Sequence, residues 1–411
     1  MVARTSKVLV FITLGAIVWL CTSAALAQTS AADFHRILRE KVGFDETDFA
    51  ALEQGQTVVK LLPLQEKREV AVSGLVSLQV PADVFLRSFR ETMDRKSNPA
   101  ILEIGTFSNQ PTLEDLKGLT IENRDIEDLK TCIPGDCKLK LSARMIERFH
   151  KEVDWEAPDH HSQATQLLKV MLLDYVRDYL TRGDAALIEY SDKGKTVRLA
   201  EEQRALRAGS SYIYDGVPKF SQYLKDFPKG TLANVENAIV WSKMKFGLKP
   251  VIAINHITIY KNDKETGPQV LIASKQIYAN HYFDSSLALT AFVSYPGASS
   301  GSYLFYENRS RADGLGGMFG KIKRGIVEDR AVDGLKAILE QSKVNLNASV
   351  LGQTESAAPA EGGARSRGWT SGRVRLFSGL FLITAFVVLL GLSNYHWRSR
   401  VVRPPTSSAT G

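Results

Sequence analysis

Five β-rich runs follow one another in the second half of the chain, and their close spacing constrains the fold more than any other feature. β-Branched, aromatic and aliphatic residues dominate each run, and turn signals such as KNDKETG and PGASSG separate them. Connections this short join antiparallel neighbours, because a parallel crossover needs about a dozen residues or more. The pattern predicts an antiparallel meander formed by NAIVWSKMKF, PVIAINHITIY, QVLIASKQIYANHYF, LALTAFVSY and SYLFYENRS.

Helical periodicity follows the meander and also fills the middle of the chain. Apolar residues recur at helical spacing over residues 318–343, which predicts a long amphipathic C-terminal helix. Near the start, REVAVSGLVSLQV predicts a strand that leads through Pro81 into a short helix. Two further helices, in SQATQLLKVMLLDYVRDYLTRG and LAEEQRALRAG, predict a helical insertion over about residues 142–210. We therefore expect an α+β fold.

The glycine-rich loop GLGGMFGKIKRG, which precedes the last helix, has the composition of a phosphate-binding loop but not its spacing. A P-loop would need glycine where the chain has Leu315 and Ser or Thr where it has Ile322. A dinucleotide fingerprint would need its third glycine at Phe319. We interpret the loop as a tight turn that lets the helix lie on the sheet, with Gly325 and Gly334 permitting close approach.

Both ends of the chain carry membrane-targeting patterns. Residues 1–27 combine Arg4 and Lys7, a long apolar run and an ALA site, which indicates a signal peptide that is either cleaved or kept as an anchor. Residues 376–397 contain no Asp, Glu, Lys or Arg, and 22 residues at about 1.5 Å each would span a bilayer core. The sequence predicts a single-pass membrane protein with an extracytoplasmic body over residues 28–350, a flexible linker over residues 351–375 and a cytoplasmic tail over residues 398–411.

Charge and cysteine content narrow the possible partners. Of the net charge of +7, two charges belong to Arg4 and Lys7 and five to the segment after residue 350, so the body is formally neutral. A neutral body offers no basic surface for nucleic acid, whereas the terminal arginines suit lipid headgroups of the bilayer. Cys132 and Cys137 flank a Pro-Gly turn in TCIPGDCK. In an exported domain this spacing predicts a structural disulfide, with redox chemistry or metal binding as alternatives.

Two polar stretches are candidates for chemistry, and each also has a structural interpretation. In PDHHSQ, His160 and His161 are adjacent, so we expect their side chains to point in different directions rather than to share a metal ion. Asp159 or Ser162 suits the N-cap position of the following helix. The stretch ASKQIYANHYFDSS offers acid–base or nucleophilic groups, or equally a solvated polar face: Lys275, His281, Asp284 and Ser285. No complete catalytic constellation, cofactor motif or metal ligand set follows from the sequence.

The order of elements resembles the START-like lipid-transfer and polyketide-cyclase superfamily, which has a helix-grip fold. VSGLVSLQVPADVFLRSF is similar to the family's opening strand and helix, and SYLFYENRSRADGLGGMFGKIKRGIVEDRAVDGLKAIL is similar to its closing strand and helix. The resemblance covers about residues 70–343 and is interrupted by the helical insertion. It implies a cavity between the curved sheet and the last helix, and it supplies no catalytic residue.

Aromatic residues crowd the meander and supply the candidates for such a cavity, although an ordinary packed core would use the same residues. The predicted lining is Trp241, Phe246, Tyr278, Phe292, Tyr303, Phe305, Ile322 and Ile326. We expect a membrane-tethered domain that binds a hydrophobic small molecule, most simply a lipid. The alternatives are a non-enzymatic envelope scaffold with a filled core and an enzyme of unrecognised type.

Overall fold

An eight-stranded antiparallel sheet forms the centre of the structure. The computed structural model describes residues 34–93, 99–262, 267–294, 301–312, 315 and 320–356. The strand order is β1-β2-β10-β9-β8-β7-β6-β3, so the last five strands form the predicted meander and β2 lies beside the last strand. These strands are β1 Val58–Leu61, β2 Glu69–Leu78, β3 Ile101–Thr106, β6 Val235–Met244, β7 Val251–Lys261, β8 Val270–Ala279, β9 Phe283–Ser294 and β10 Ser302–Ala312.

Nine α-helices in the described part of the chain pack on the two faces of this sheet, and the α+β class is confirmed. The helices are α1 Glu46–Glu53, α2 Ala82–Thr92, α3 Asn123–Thr131, α4 Ala143–Glu152, α5 His160–Arg182, α6 Leu199–Gly209, α7 Ser211–Gly216, α8 Pro218–Asp226 and α9 Gly320–Ser356. A π-helix, Leu38–Val42, precedes α1, and a two-stranded ribbon joins β4 Glu189–Tyr190 to β5 Val197–Arg198.

Helices α2 and α9 cover one face of the sheet with hydrocarbon. Alternate residues of β2, such as Val72 and Val76, meet Phe85 of α2 and Leu335 of α9 in one buried cluster. Gly74 marks the closest approach, because a Cβ atom there would lie 2.4 Å from Leu339 Cδ1. The prediction that Gly325 serves this purpose is wrong: a Cβ atom at Gly325 would meet nothing within 4 Å.

The opposite face carries the insertion and the N-terminal helices. Helices α3 to α5 pack over β6, β7 and β8, and the insertion reaches from the end of β3 to the start of β6, well beyond the predicted residues 142–210. The N-terminal segment packs beside it, together with α6, α7 and α8, over β8 to β10. The sheet therefore separates a two-helix layer from a much larger helical layer.

The disulfide prediction is confirmed, because the Sγ atoms of Cys132 and Cys137 lie 2.07 Å apart. The bond closes a small loop directly after α3, with both cysteines buried in the larger helical layer. The last helix continues through Ser356, past the predicted end at residue 343 and into the predicted linker.

Both predicted membrane segments lie outside the described residues. These are the signal at residues 1–27 and the span at residues 376–397. Within the described residues, no helix combines the length and the apolar character that crossing a bilayer requires. Most of the predicted linker and the whole predicted tail also lie outside them.

Candidate functional site

The predicted pocket residues do not lie together. Phe246 and Phe292 belong to the apolar cluster under α9, and Phe292 stacks on Phe85 with 5.0 Å between ring centroids. Trp241 and Tyr278 lie on the other face, in the cluster of the insertion. Tyr303 and Phe305 share that face but pack with the N-terminal segment. Ile326 is 38% exposed, and the side chain of Ile322 is outside the described residues.

Each of these six aromatic residues packs in a core, and none is more than 5% exposed. Trp241 illustrates the arrangement: its indole Nε1 donates to the Asp115 carbonyl at 2.8 Å, and its ring lies 2.7 Å from where a Cβ atom of Gly105 would be. Alternation along the strands explains the split, because neighbours in a strand face opposite sides of a sheet. The six aromatic candidates therefore lie on both faces of the sheet rather than around one space.

Three of the four predicted polar candidates have a structural partner, and the fourth, Ser285, has a buried hydroxyl without a hydrogen-bond partner among the described residues. Lys275 Nζ donates to Asp184 Oδ1 at 2.6 Å. His281 Nε2 lies 2.9 Å from Asp125 Oδ2. Asp284 accepts from both Arg68 and Lys140, at 2.7 and 2.8 Å.

Burial and neighbouring charges compete at Asp125. Burial alone would raise the pKa of Asp125, but the contacts with His281 and Lys249 lower it below its usual range. The carboxylate is therefore ionised and paired. This pairing suits a structural role for His281 better than a catalytic one.

A chain of buried ion pairs connects the sheet to α6 on the helical-layer face. Arg309 lies between two buried carboxylates, and its guanidinium contacts Glu69 and Glu307 at 2.8 Å each. Arg311 joins Glu69 to Glu202 of α6. Arg68 then joins Glu202 to Asp284, so the chain of charges reaches Lys140. Positive and negative side chains alternate along this chain, and such pairing allows a protein interior to tolerate buried charges.

A cavity of about 410 Å³ opens between Asp184 and helices α6, α7 and α8. Its charged lining is mainly cationic, with Arg204 and Arg207 from α6 and Lys225 from α8. Asp184 is the one described acidic residue in the lining, and it already contacts Lys275 and Arg207. Neither Arg204 nor Lys225 forms an ion pair with another described residue. The cavity therefore carries uncompensated positive charge.

Tyr214 lines the same cavity and carries a buried hydroxyl group. The residue is only 3% exposed, and its hydroxyl has no hydrogen-bond partner among the described residues. Burial raises the pKa of Tyr214, so the hydroxyl keeps its proton and can donate it in a hydrogen bond. A buried hydroxyl without a partner costs about 1–3 kcal/mol, which a bound acceptor would recover.

A chain of hydrogen bonds surrounds the buried His256, next to Lys275. His256 Nδ1 accepts from the Tyr179 hydroxyl at 2.7 Å, and its Nε2 donates to Asn237 Oδ1 at 2.9 Å. The amide nitrogen of Asn237 donates in turn to the Tyr223 hydroxyl at 2.6 Å. Burial, with a smaller contribution from Lys275, lowers the pKa of His256 well below its usual range. Burial likewise lowers the pKa of Lys275, although Asp184 opposes this shift.

A second cavity, of about 540 Å³, lies on another side of α8 and is larger but less distinctive. Lys219 and Asp226 both line it, so its described charges balance. Tyr223 and Tyr260 supply much of its apolar wall. Since the smaller cavity combines net positive charge with an unpartnered donor, we regard it as the candidate site.

A separate cluster forms where the start of α5 meets α3. His161 Nε2 lies 2.9 Å from Glu127 Oε1, and His160 Nε2 lies 3.7 Å from the same oxygen. The expectation that the adjacent histidines point apart is wrong, because their rings meet edge to face with centroids 4.6 Å apart. Glu127 is 34 residues from His161, so no local sequence pattern indicates this cluster.

No protein-family model matches the chain, and no curated protein matches it.

Proposed function

We propose that this chain is a binding protein for a small molecule that carries an anionic group. The cavity between α6, α7 and α8 would hold that group, with Arg207, Arg204 and Lys225 supplying charge. The observation that carries the proposal is that Tyr214, whose buried hydroxyl has no partner among the described residues, lines a cavity with three cations. Carboxylate and phosphate oxygens are the acceptors that such a set of donors recognises.

The size and charge of the cavity support a small ligand. A volume of about 410 Å³ falls within the roughly 300–1,000 Å³ of small-molecule sites. The Arg207 side chain is 12% exposed, so solvent screens its charge less than that of a surface arginine. A guanidinium can bind two oxygens of one carboxylate or phosphate at once.

The hydrophobic-ligand hypothesis stays a prediction, and the described residues favour a different place for the ligand. In the helix-grip arrangement that the element order resembles, a ligand would lie between the sheet and α9. Here Leu339 presses against Gly74, and Phe292 stacks on Phe85, so described side chains fill that space. An anionic lipid would agree with both the hydrophobic-ligand hypothesis and the positive charge of the cavity, if its headgroup entered the cavity.

We also propose that the domain acts outside the cytoplasm, tethered to a membrane. The Cys132–Cys137 bond supports an oxidising compartment, where such bonds persist. A tether would raise the effective concentration of the domain near lipid ligands. A scaffold without a ligand is the alternative function, and the packed cores on both faces of the sheet favour it.

Native mass spectrometry of the full-length chain, followed by organic extraction, tests the proposal. We expect a co-purifying small molecule in the wild-type protein and its loss in Arg207→Gln/Lys225→Gln. Lys219→Gln is the matched control, because it removes a charge from the same helix but lines the other cavity. A phospholipid in the extract would identify a lipid headgroup as the ligand, and a water-soluble acid would identify a free metabolite. An unliganded mass that membrane extract does not change would support the scaffold instead.

A further inference from the structure

The cluster of His160, His161 and Glu127 has the composition and geometry of a metal site. One ligand atom from each residue lies within 4.8 Å of the other two. In a tetrahedral zinc site with metal–ligand bonds of about 2.0–2.1 Å, neighbouring ligand atoms lie about 3.3 Å apart. The observed separations of 2.9 and 3.7 Å from Glu127 Oε1 to the two imidazoles bracket that value.

The outer contacts of both histidines hold the rings in the orientation that a metal needs. His160 Nδ1 lies 2.8 Å from the Ala157 carbonyl oxygen, and His161 Nδ1 lies 3.3 Å from Asn123 Oδ1. Metal-bound histidines commonly donate their other ring N–H to such an oxygen, which leaves the remaining nitrogen free to coordinate. In this cluster the remaining nitrogens are the two Nε2 atoms, and both face Glu127.

The positions of the imidazole protons also favour a bound metal ion. A neutral imidazole has one N–H and one lone pair, so each ring can donate at only one nitrogen. The Ala157 carbonyl can only accept, so a neutral His160 ring carries its proton on Nδ1. Its Nε2 lone pair then faces a carboxylate oxygen, which is an unfavourable contact between two acceptors. A metal ion between Nε2 and the carboxylate turns that contact into two coordinate bonds.

We propose that Glu127, His160 and His161 bind one divalent transition-metal ion of the zinc type, which joins α3 to the start of α5. Two imidazoles and one carboxylate suit Zn²⁺, and a water molecule would complete four ligands. The partial positive charge at the start of α5 opposes a cation, and the Glu127 carboxylate offsets it. All three side chains are partly exposed, between 25% and 58%, so the ion can enter from solvent.

Metal binding is measured on the full-length chain, purified without a histidine tag and stripped with a chelator. Elemental analysis after Zn²⁺ loading gives the stoichiometry, and Co²⁺ absorption gives the geometry. We expect one Zn²⁺ per chain, tetrahedral Co²⁺ bands and a Zn²⁺-dependent rise in Tm. Glu127→Gln and His161→Ala should each weaken binding by at least about tenfold.

Glu156→Gln is the matched control, because Glu156 is a nearby exposed carboxylate that pairs with Lys130 instead. It should bind Zn²⁺ like the wild type and show the same Tm rise. Less than stoichiometric Zn²⁺ in the wild type would overturn the proposal. Equal affinity in wild type and Glu127→Gln would also overturn it, because the histidine pair alone would then account for binding.

Discussion

The two faces of the central sheet show opposite ways to bury the same strands. Under α2 and α9 the strands present hydrocarbon, and the closest contact is between Gly74 and Leu339. On the other face the strands present Glu69, Glu307 and Arg309, each no more than 3% exposed. Burial of apolar surface is favourable in itself, whereas buried charges are tolerated only with well-placed partners. The apolar face is thus built for packing, whereas the helices on the opposite side form the candidate site.

A single side-chain replacement should lower the free energy of unfolding more on the charged face than on the apolar face. Arg309→Met removes the guanidinium that separates the Glu69 and Glu307 carboxylates, and we expect a loss of about 3–5 kcal/mol in the free energy of unfolding. Chemical denaturation measures this loss. The control is Arg87→Met in α2, where the exposed pair with Asp83 should contribute less than about 1 kcal/mol. Equal effects of the two substitutions would show that the buried pairs of Arg309 contribute no more than an exposed pair.

On the apolar face, the free energy of unfolding should depend on the volume of the packed side chains and not on their charge. Gly74→Ala places a methyl group 2.4 Å from Leu339 Cδ1, and we expect a loss of about 1–3 kcal/mol in the free energy of unfolding from overpacking. Combining it with Leu339→Ala should cost less than the sum of the two single changes, because the new methyl occupies part of the space that Leu339 leaves. Denaturation of the four proteins completes the cycle. Strict additivity would mean that α9 does not rest on Gly74 as described.

The free energy of unfolding should depend on mildly acid pH through His256, which lies on the charged face. The pKa of His256 is lowered in the folded protein, so below its ordinary value of about 6.5 the unfolded chain binds a proton that the folded protein does not. The contribution of His256 to the free energy of unfolding should therefore fall by about 1.4 kcal/mol per pH unit as pH drops below 6.5, until the folded pKa is reached.

In His256→Gln that part of the pH dependence should be absent, while stability above pH 7 serves as the internal reference. Thermal denaturation at a series of pH values measures both proteins. The same slope in wild type and variant between pH 6.5 and pH 5 would show that His256 takes up its proton in the folded state as readily as in the unfolded chain.

Sequence periodicity predicts the meander, β2, α2, α5 and α6, and the cysteine spacing predicts the disulfide, because each depends on neighbours close in the chain. The edge strands β1 and β3 escape prediction, since four to six residues carry little periodic signal. Which aromatic residues share a face also escapes it, because a bulge between Ile254 and Asn255 shifts the register of β7 against β8.

The candidate site is harder still to predict, since its residues come from separate elements. Asp184, Arg207, Tyr214 and Lys225 lie in four different segments, and each alone looks like an ordinary polar residue of a helical region. The metal cluster likewise needs Glu127, which belongs to a different helix from the two histidines. Tertiary packing, rather than any local pattern, brings these groups together.

Tyr214→Phe tests the central claim most directly, because it removes one hydroxyl oxygen and keeps the ring. Native mass spectrometry would compare the bound small molecule in wild type and variant, and thermal denaturation would compare the two proteins after the ligand is stripped. The account predicts roughly tenfold weaker binding, as expected for about 1.4 kcal/mol. It also predicts an equal or higher Tm for the stripped variant, because the lost hydroxyl has no partner among the described residues. Unchanged binding together with a lower Tm would contradict the account.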